Sequence, residues 1–546
     1  MSITKQKLEL TWIGKDKRRR LEPRIFIEDK NLSYQAPKIS ATEEGETNTI
    51  FNDNLLIHGD NLLALKALEQ QFSGKVKCVY IDPPYNTGSA FAQYDDGLEH
   101  SLWLSLMKER LNILWEFLDP KEGSLWVSID DREMPYLRIL LDEVCGRDKF
   151  IASNVWQKRY SRENRESIGD AHEYVIVYAK NRDIFKSVRN KLPLGDKQTK
   201  IYRNANNDPR GLWRSVSLSA QGYRPNQMYE IVSPITGKVH TPPPGSCWKV
   251  IEPKFKQLLA DNRIYFGKDG NAVPARIQFL SEIEGMTPWT WWPHEDVGHT
   301  DEAKKEMHAL FTPEHAFATP KPERLIERIL HIATNPGDLV LDSFAGSGTT
   351  GAVAHKMGRR WIMVELGEHC HTHIVPRLKK VIDGDDQGGI SKVVNWQGGG
   401  GFRYLRLAPS LLKKDNWGQW VINKEYNAEM LAEAMCKHMG FTYSPSQTQF
   451  WNHGYSTETD HIYVTTGSLA YDQLKRISEE VGTERTLLIC CKAFMTEGSE
   501  FPNLTLKKIP KVILNKCEWD HDDYSFTLNV LPDEQDDDLE DDDSEE

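Results

Sequence analysis

The stretch Val79-Tyr-Ile-Asp-Pro-Pro-Tyr-Asn86 decides how this chain is read. Val76, Cys78, Val79, Tyr80 and Ile81 form an apolar, β-favouring run, as expected of a strand covered on both faces. Pro83 and Pro84 stop it abruptly, because a proline has no N–H for a sheet ladder and fixes its own φ. The result is a rigid corner at a strand's carboxyl end, where open α/β sheets place their ligands. It presents the Asp82 carboxylate, the carbonyls of Asp82 and Pro83, and the ring of Tyr85. Acceptors beside an aromatic face suit a planar base with an exocyclic amine. An ordinary strand-to-loop turn would use the same residues, so a second motif is required.

Outward from the corner, strands and helices alternate. Asn54 to Ile57 reads as a strand ending at His58-Gly-Asp-Asn61, and Leu62, Leu63, Leu65, Ala67 and Leu68 follow with helical spacing. Beyond the corner come a helix from about Leu102 to Leu118, a strand Gly123–Ile129, a helix near Tyr136–Val144 and a strand His172–Ala179. Later the alternation resumes with a helix Leu325–Ile332, a strand Asp338–Asp342, a small-residue loop, a helix to Met357 and a strand Trp361–Glu365. This order predicts a doubly wound, Rossmann-like α/β sheet interrupted by an insert.

The boundaries expected are an irregular arm over 1–50 and the first half of the sheet domain over 51–157. An insert follows over 158–300, with the strand near 172–179 returning to the sheet, and then the second half over 301–406. A separate α/β region is expected over 407–532 and a disordered acidic tail over 533–546. From Lys158 to Arg224 there are 15 Lys and Arg against 7 Asp and Glu, interleaved with Tyr160, Tyr202, Trp213 and Tyr223. That mixture fits a nucleic-acid surface, and an exposed basic face without a partner is its plain alternative. The run Lys15-Asp-Lys-Arg-Arg-Arg20 is read in the same two ways. Trp289, Trp291 and Trp292 are assigned to the core.

The 546 residues, 39% hydrophobic and 27% charged, are ordinary for a soluble protein of two or three domains. The net charge of −12 is misleading, because 11 acidic residues lie between Asp533 and Glu546 and the remainder is nearly neutral. No apolar run reaches membrane-spanning length, and the start Met1-Ser-Ile-Thr-Lys is not a signal peptide. Eight cysteines without paired spacing fit a reducing cytoplasm. His369-Cys-His-Thr-His373 lacks a second ligand pair at zinc spacing, so it is read as a helix carrying histidines and no metal is expected.

The second motif is Phe344-Ala-Gly-Ser-Gly-Thr-Thr350 with Gly351 after it. Gly346 and Gly348 match the glycine loop of dinucleotide folds, Thr349 belongs to the same loop and is counted with the cofactor-binding residues, and Glu365 ends the next strand where a carboxylate can accept ribose hydroxyls. A nicotinamide dehydrogenase would use the same pattern. Asp342, however, ends the first strand ahead of Phe344, where a dehydrogenase has its first glycine. A carboxylate there suits a cationic amino-acid cofactor, which favours S-adenosylmethionine.

A corner for an amine, a pocket for S-adenosylmethionine and a basic insert between them resemble the DNA amino-methyltransferases. The order, with Asp-Pro-Pro-Tyr before the cofactor loop, is that of the β-class. Leu10-Thr-Trp-Ile-Gly-Lys15, Leu21-Glu-Pro-Arg24, Ile57-His-Gly-Asp-Asn61, Tyr80–Asn86 and His172–Lys180 further resemble the modification subunits of type III restriction-modification systems. The resemblance covers roughly residues 8–180 and 285–406. It implies N6-methylation of an adenine flipped out of double-stranded DNA, with Asp82 and the Pro83 carbonyl holding the amine and Tyr85 stacking on the base. It also implies that Asp60 meets the cofactor's adenine and that Phe317-Ala-Thr-Pro-Lys-Pro322, with Lys321, closes over its methionine end. A homodimer and a restriction helicase-nuclease partner would follow, and the chain departs from the family in being short and ending in an acidic tail. N4-cytosine methylation stays open, with Asp rather than Ser before Pro-Pro favouring adenine. A stand-alone adenine methyltransferase, a nicotinamide oxidoreductase and an inactive DNA-binding subunit are the other readings.

Overall fold

The computed structural model describes residues 9–17, 19–36, 54–85, 96–161, 167–195, 199–312, 317, 319–495 and 500–524. Two compact units emerge, one of residues 1–189 with 289–546 and one of Asn190–Pro288. The first is built on a large mixed sheet. Its order from one edge is Phe26–Glu28, Gly401–Leu407, Leu55–His58, Arg360–Glu365, Leu339–Asp342, Cys78–Ile81, Ser124–Ile129, His172–Ala179, Phe150–Gln157 and Trp291–Trp292. The stretch from Gly401–Leu407 to Ser124–Ile129 is parallel throughout, and His172–Ala179 runs antiparallel to both of its neighbours.

Parallel strands need cover on both faces, and the sequence supplies it. All four residues of Cys78–Ile81 and all four of Leu339–Asp342 are buried. Trp103, Leu104, Met107, Leu111 and Leu114 of the long helix Asp96–Phe117 recur at three- and four-residue spacing and join the core beneath the corner strand. The helix Glu323–Ala333 buries Leu325, Ile326, Ile329 and Leu330 by the same rule. The corner strand lies directly beside Leu339–Asp342, with Val79 opposite Leu341. Both motifs therefore leave the sheet at the carboxyl ends of adjacent parallel strands.

The second unit has its own small cores. Trp213–Ser217, Ala275–Phe279 and Ile264–Tyr265 form an antiparallel sheet over Trp213, Ile277 and Phe279. Leu218, Ile231, Trp248, Phe255 and Phe266 form the other core. Its limits are narrower than the insert expected over 158–300, since residues 158–189 and 289–300 belong to the first unit.

Several expectations are corrected. The arm is not wholly irregular: Phe26–Glu28 and Tyr34–Gln35 pair antiparallel with Gly401–Leu407 and cover a sheet edge. In the basic run, Lys15 pairs with Glu9 and Glu143, and Arg19 with Glu109, so these charges serve the protein's own carboxylates. Tyr202 and Trp213 are buried, whereas Tyr160 and Tyr223 are exposed. Of the three tryptophans assigned to the core, only Trp292 is buried; Trp289 and Trp291 are exposed. The pleat explains why Trp291 is exposed and Trp292 buried, since successive residues of an edge strand point to opposite faces. Residues after 406 carry a five-stranded sheet with the helices Ala428–Met439 and Tyr471–Val481, yet cluster with the first unit rather than apart. Asn86 and the acidic tail lie outside the described residues. All eight cysteines are free, and among the described residues no helix is long and apolar enough to cross a membrane.

Candidate active site

A cavity of about 630 Å³ opens over the carboxyl ends of the two adjacent strands. Asp60, Asp82, Pro83, Pro84, Tyr85, Lys321, Asp342, Phe344, Gly346, Thr349 and Glu365 all line it. Among the expected residues only Gly348 does not. Its part is structural: it caps the helix Thr349–Lys356 at φ +76°, and a Cβ there would lie 2.8 Å from Ile374. Both conditions favour glycine. Gly351 allows the helix to settle on Met363, whose methyl would lie 2.2 Å from a Cβ.

The carboxylates shape the loop before any ligand is considered. Asp342 accepts the Phe344 N–H at 2.9 Å and the Thr350 hydroxyl at 2.6 Å. Burial pushes its carboxyl up to about 7, against those two hydrogen bonds, with Asp82 and Glu365 adding repulsion. Glu365 accepts Gly346 N–H at 2.8 Å, Gly367 N–H at 3.0 Å and lies 3.0 Å from His369. Burial opposes its charge, but His369 and the two amides outweigh it and hold the carboxyl below its ordinary value. Of its four or so lone-pair sites, three are thus taken.

Asp60 departs from expectation. It caps the helix Asn61–Phe72 by accepting Leu63 N–H at 3.0 Å, and its other oxygen accepts Tyr524 N–H at 3.0 Å and Arg110 at 3.3 Å. It is 1% exposed, so its carboxylate secures that helix and the chain near Tyr524 rather than presenting a free acceptor to the cavity. Thr349 is similarly turned inward, its hydroxyl receiving an Arg377 N–H at 2.8 Å. Arg377 also reaches the Ser347 carbonyl at 3.3 Å and Glu323 at 3.0 Å, so a buried cation fastens the loop from below.

At the corner, the Trp103 indole N–H donates to the Pro84 carbonyl at 2.9 Å and fixes the turn. Lys321 joins loop and corner: its carbonyl accepts the Thr349 hydroxyl at 3.3 Å, while its ammonium donates to Asp82 Oδ2 at 2.7 Å and to the Tyr85 hydroxyl at 3.1 Å. Burial disfavours that charge, yet Asp82 and Glu173 more than compensate and raise its pKa. The Tyr85 hydroxyl is 2.9 Å from Asp82 Oδ1 and 3.0 Å from Glu173 Oε2. Burial, with the charges of Asp82 and Glu173, drives this phenol well above its ordinary range, so it stays neutral. Glu173 is a residue that sequence reading passed over. The available signal was a lone carboxylate inside the apolar strand His172–Ala179.

A doubly wound sheet thus carries an Asp-Pro-Pro-Tyr corner beside an acidic, glycine-turned pocket. The chain belongs to the DNA methylase family, whose model matches residues 76–376. It is 31% identical over 462 residues to the probable type III restriction-modification enzyme HindVI Mod subunit of Haemophilus influenzae, covering 73% of this chain and 59% of that protein. With the type III StyLTI Mod subunit of Salmonella typhimurium it shares 31% identity over 379 residues, 63% of this chain and 55% of the relative. The type II methyltransferase M.EcaI of Enterobacter cloacae is 29% identical over 359 residues, covering 63% and 73% of the two chains. The chain thus spans between half and two thirds of the length of the two Mod subunits.

Proposed function

We propose that this protein is a site-specific DNA methyltransferase that uses S-adenosylmethionine to methylate the N6 amine of a flipped adenine, as the modification subunit of a type III restriction-modification system. One observation carries the reading: the amine-binding corner and the acidic loop leave adjacent parallel strands and share one cavity.

The cavity's residues fit the cofactor. Asp342 and Glu365 provide negative charge for a ligand bearing ammonium and sulfonium groups, and Phe344 and Phe317 provide apolar wall. Asp342 would face the cationic amino-acid end and Glu365, with its remaining acceptor site, a ribose hydroxyl. Bound there, S-adenosylmethionine supplies an activated methyl group. Asp82 and the Pro83 carbonyl orient the amine, and the Tyr85 ring stacks on the base. Catalysis then rests on holding the reacting atoms in line and on acceptors that offset charge developing on nitrogen.

Recognition of the DNA sequence is assigned to the insert over 158–300. Its support is the set of exposed cations in the second unit, including Lys200, Arg203, Arg224, Lys238, Lys249 and Lys254, beside the exposed Tyr223. Such groups neutralise phosphates and stack on bases. A homodimer and a restriction partner belong to the same reading; the relatives' names, as subunits of restriction-modification enzymes, support the partner alone. Incubating the full chain with labelled S-adenosylmethionine and unmethylated plasmid DNA, then digesting to nucleosides, should give N6-methyladenine. N4-methylcytosine would overturn the choice of base, and no labelled nucleoside the activity.

A further inference from the structure

Among the described residues, the Tyr85 hydroxyl has three polar neighbours: Asp82 Oδ1 at 2.9 Å, Glu173 Oε2 at 3.0 Å and Lys321 Nζ at 3.1 Å. A phenol has one hydrogen to give and accepts through its lone pairs. The Lys321 ammonium donates to it, and its own hydrogen can serve only one of the two carboxylates. The other carboxylate oxygen then faces lone pairs at hydrogen-bond distance unless a further proton lies between them. Lys321, 2.7 Å from Asp82 and 3.5 Å from Glu173, is the cation that holds the two carboxylates so close. The corner is therefore built with a place for one more proton.

We propose that Glu173 is that place: it receives, through the Tyr85 hydroxyl, the proton that the target amine loses on methylation. The inference rests on the amine-methylation reading above. The amine's lone pair forms the new N–C bond while the methyl–sulfur bond breaks and its electron pair returns to sulfur. Nitrogen is left with one hydrogen too many, which passes to Asp82. Asp82 hands a proton to the Tyr85 oxygen as the Tyr85 hydrogen moves to Glu173. Asp82 is restored as an acceptor, and Glu173 ends protonated.

The surroundings of Glu173 suit this. It is 8% exposed. Facing it are Asp82 and Tyr85 from the corner, Lys321, and Lys158, whose ammonium is 3.5 Å from Oε1. Lys158 also pairs at 2.7 Å with Asp170, which is 57% exposed, so the route outward leads to solvent. Trp156 lies opposite Glu173 in the sheet, and the buried Tyr80 hydroxyl is occupied with Ser128. Glu173 acts on the amine only through Tyr85, and in that sense is a positioning residue for the proton rather than a contact of the base.

The test uses the full chain with plasmid DNA and labelled S-adenosylmethionine in single turnovers, following methyl transfer by label and proton release by a pH indicator in weak buffer. In the parent, proton release should lag methyl transfer, because the corner retains the proton. Glu173→Gln, which keeps the size and the hydrogen-bonding edge, should abolish the lag and slow transfer by about 100-fold, the scale of a lost acid–base group. Cofactor affinity should stay within about twofold, since Asp342 and Glu365, the carboxylates assigned to the cofactor, are untouched. Tyr85→Phe, with Glu173 intact, should remove the lag as well, and the double variant should be little slower than the slower single one. An unchanged lag in Glu173→Gln, or losses that multiply in the double variant, overturns the inference alone. No methylated nucleoside from the parent overturns the methyltransferase reading and the inference with it.

Discussion

The Asp342 carboxyl links the pocket's electrostatics to a measurable affinity. Burial first, then repulsion from Asp82 and Glu365, brings it from an ordinary 3.8 up to about 7. A cationic ligand at this carboxylate favours the ionised form, so binding is linked to loss of a proton. For a group that titrates near 7, roughly one site in eleven is ionised at pH 6 and ten in eleven at pH 8. The affinity for S-adenosylmethionine should therefore fall about tenfold, or about 1.4 kcal/mol, from pH 8 to pH 6. Binding at pH 6 should also release nearly one proton. Calorimetry in two buffers of different ionisation enthalpy reads both quantities. Asp342→Asn is the control, because it leaves every other titrating group of pocket and ligand in place. The variant should bind more weakly at pH 8 and lack the extra tenfold slope. A parent and variant with the same slope between pH 6 and pH 8 would refute the assignment of Asp342 to the cationic end of the cofactor.

Asp82→Ala should nearly abolish methyl transfer while S-adenosylmethionine still binds; near-normal turnover would show that this corner is not catalytic. Lys356 is fully buried between Glu323, at 2.8 Å, and Asp386, at 2.7 Å. Lys356→Met leaves Asp386 without this cation and Glu323 with Arg377 alone, and should cost about 3–5 kcal/mol of stability in denaturant titration; a loss under about 1 kcal/mol would mean that the site is readily rehydrated. Replacing residues 190–288 with the corresponding unit of a related enzyme should change the methylated sequence, read by single-molecule sequencing, while cofactor affinity stays the same. A folded chimera that marks the original sequence would place recognition elsewhere.

Features under short-range control can be read directly from the order of residues. Two prolines after an apolar run end a strand wherever they occur, and a small-residue loop before a helix turns as Gly346 and Gly348 allow. Hence the corner, the glycine loop and the α/β order were legible from residues a few positions apart. What stands against them is set by the fold. The sheet order sets Cys78–Ile81 beside Leu339–Asp342 across more than 250 positions of chain. The fold brings Lys321 to Asp82 over 239 positions, and the antiparallel strand His172–Ala179 brings Glu173 to Tyr85 over 88. It also commits Asp60 to a helix cap and to Tyr524, which its place in the sequence does not reveal. Periodicity and turn chemistry report on neighbours along the chain. A carboxylate's partners are chosen by burial, which removes water as the alternative and leaves whatever donors the fold has brought within 3 Å or so.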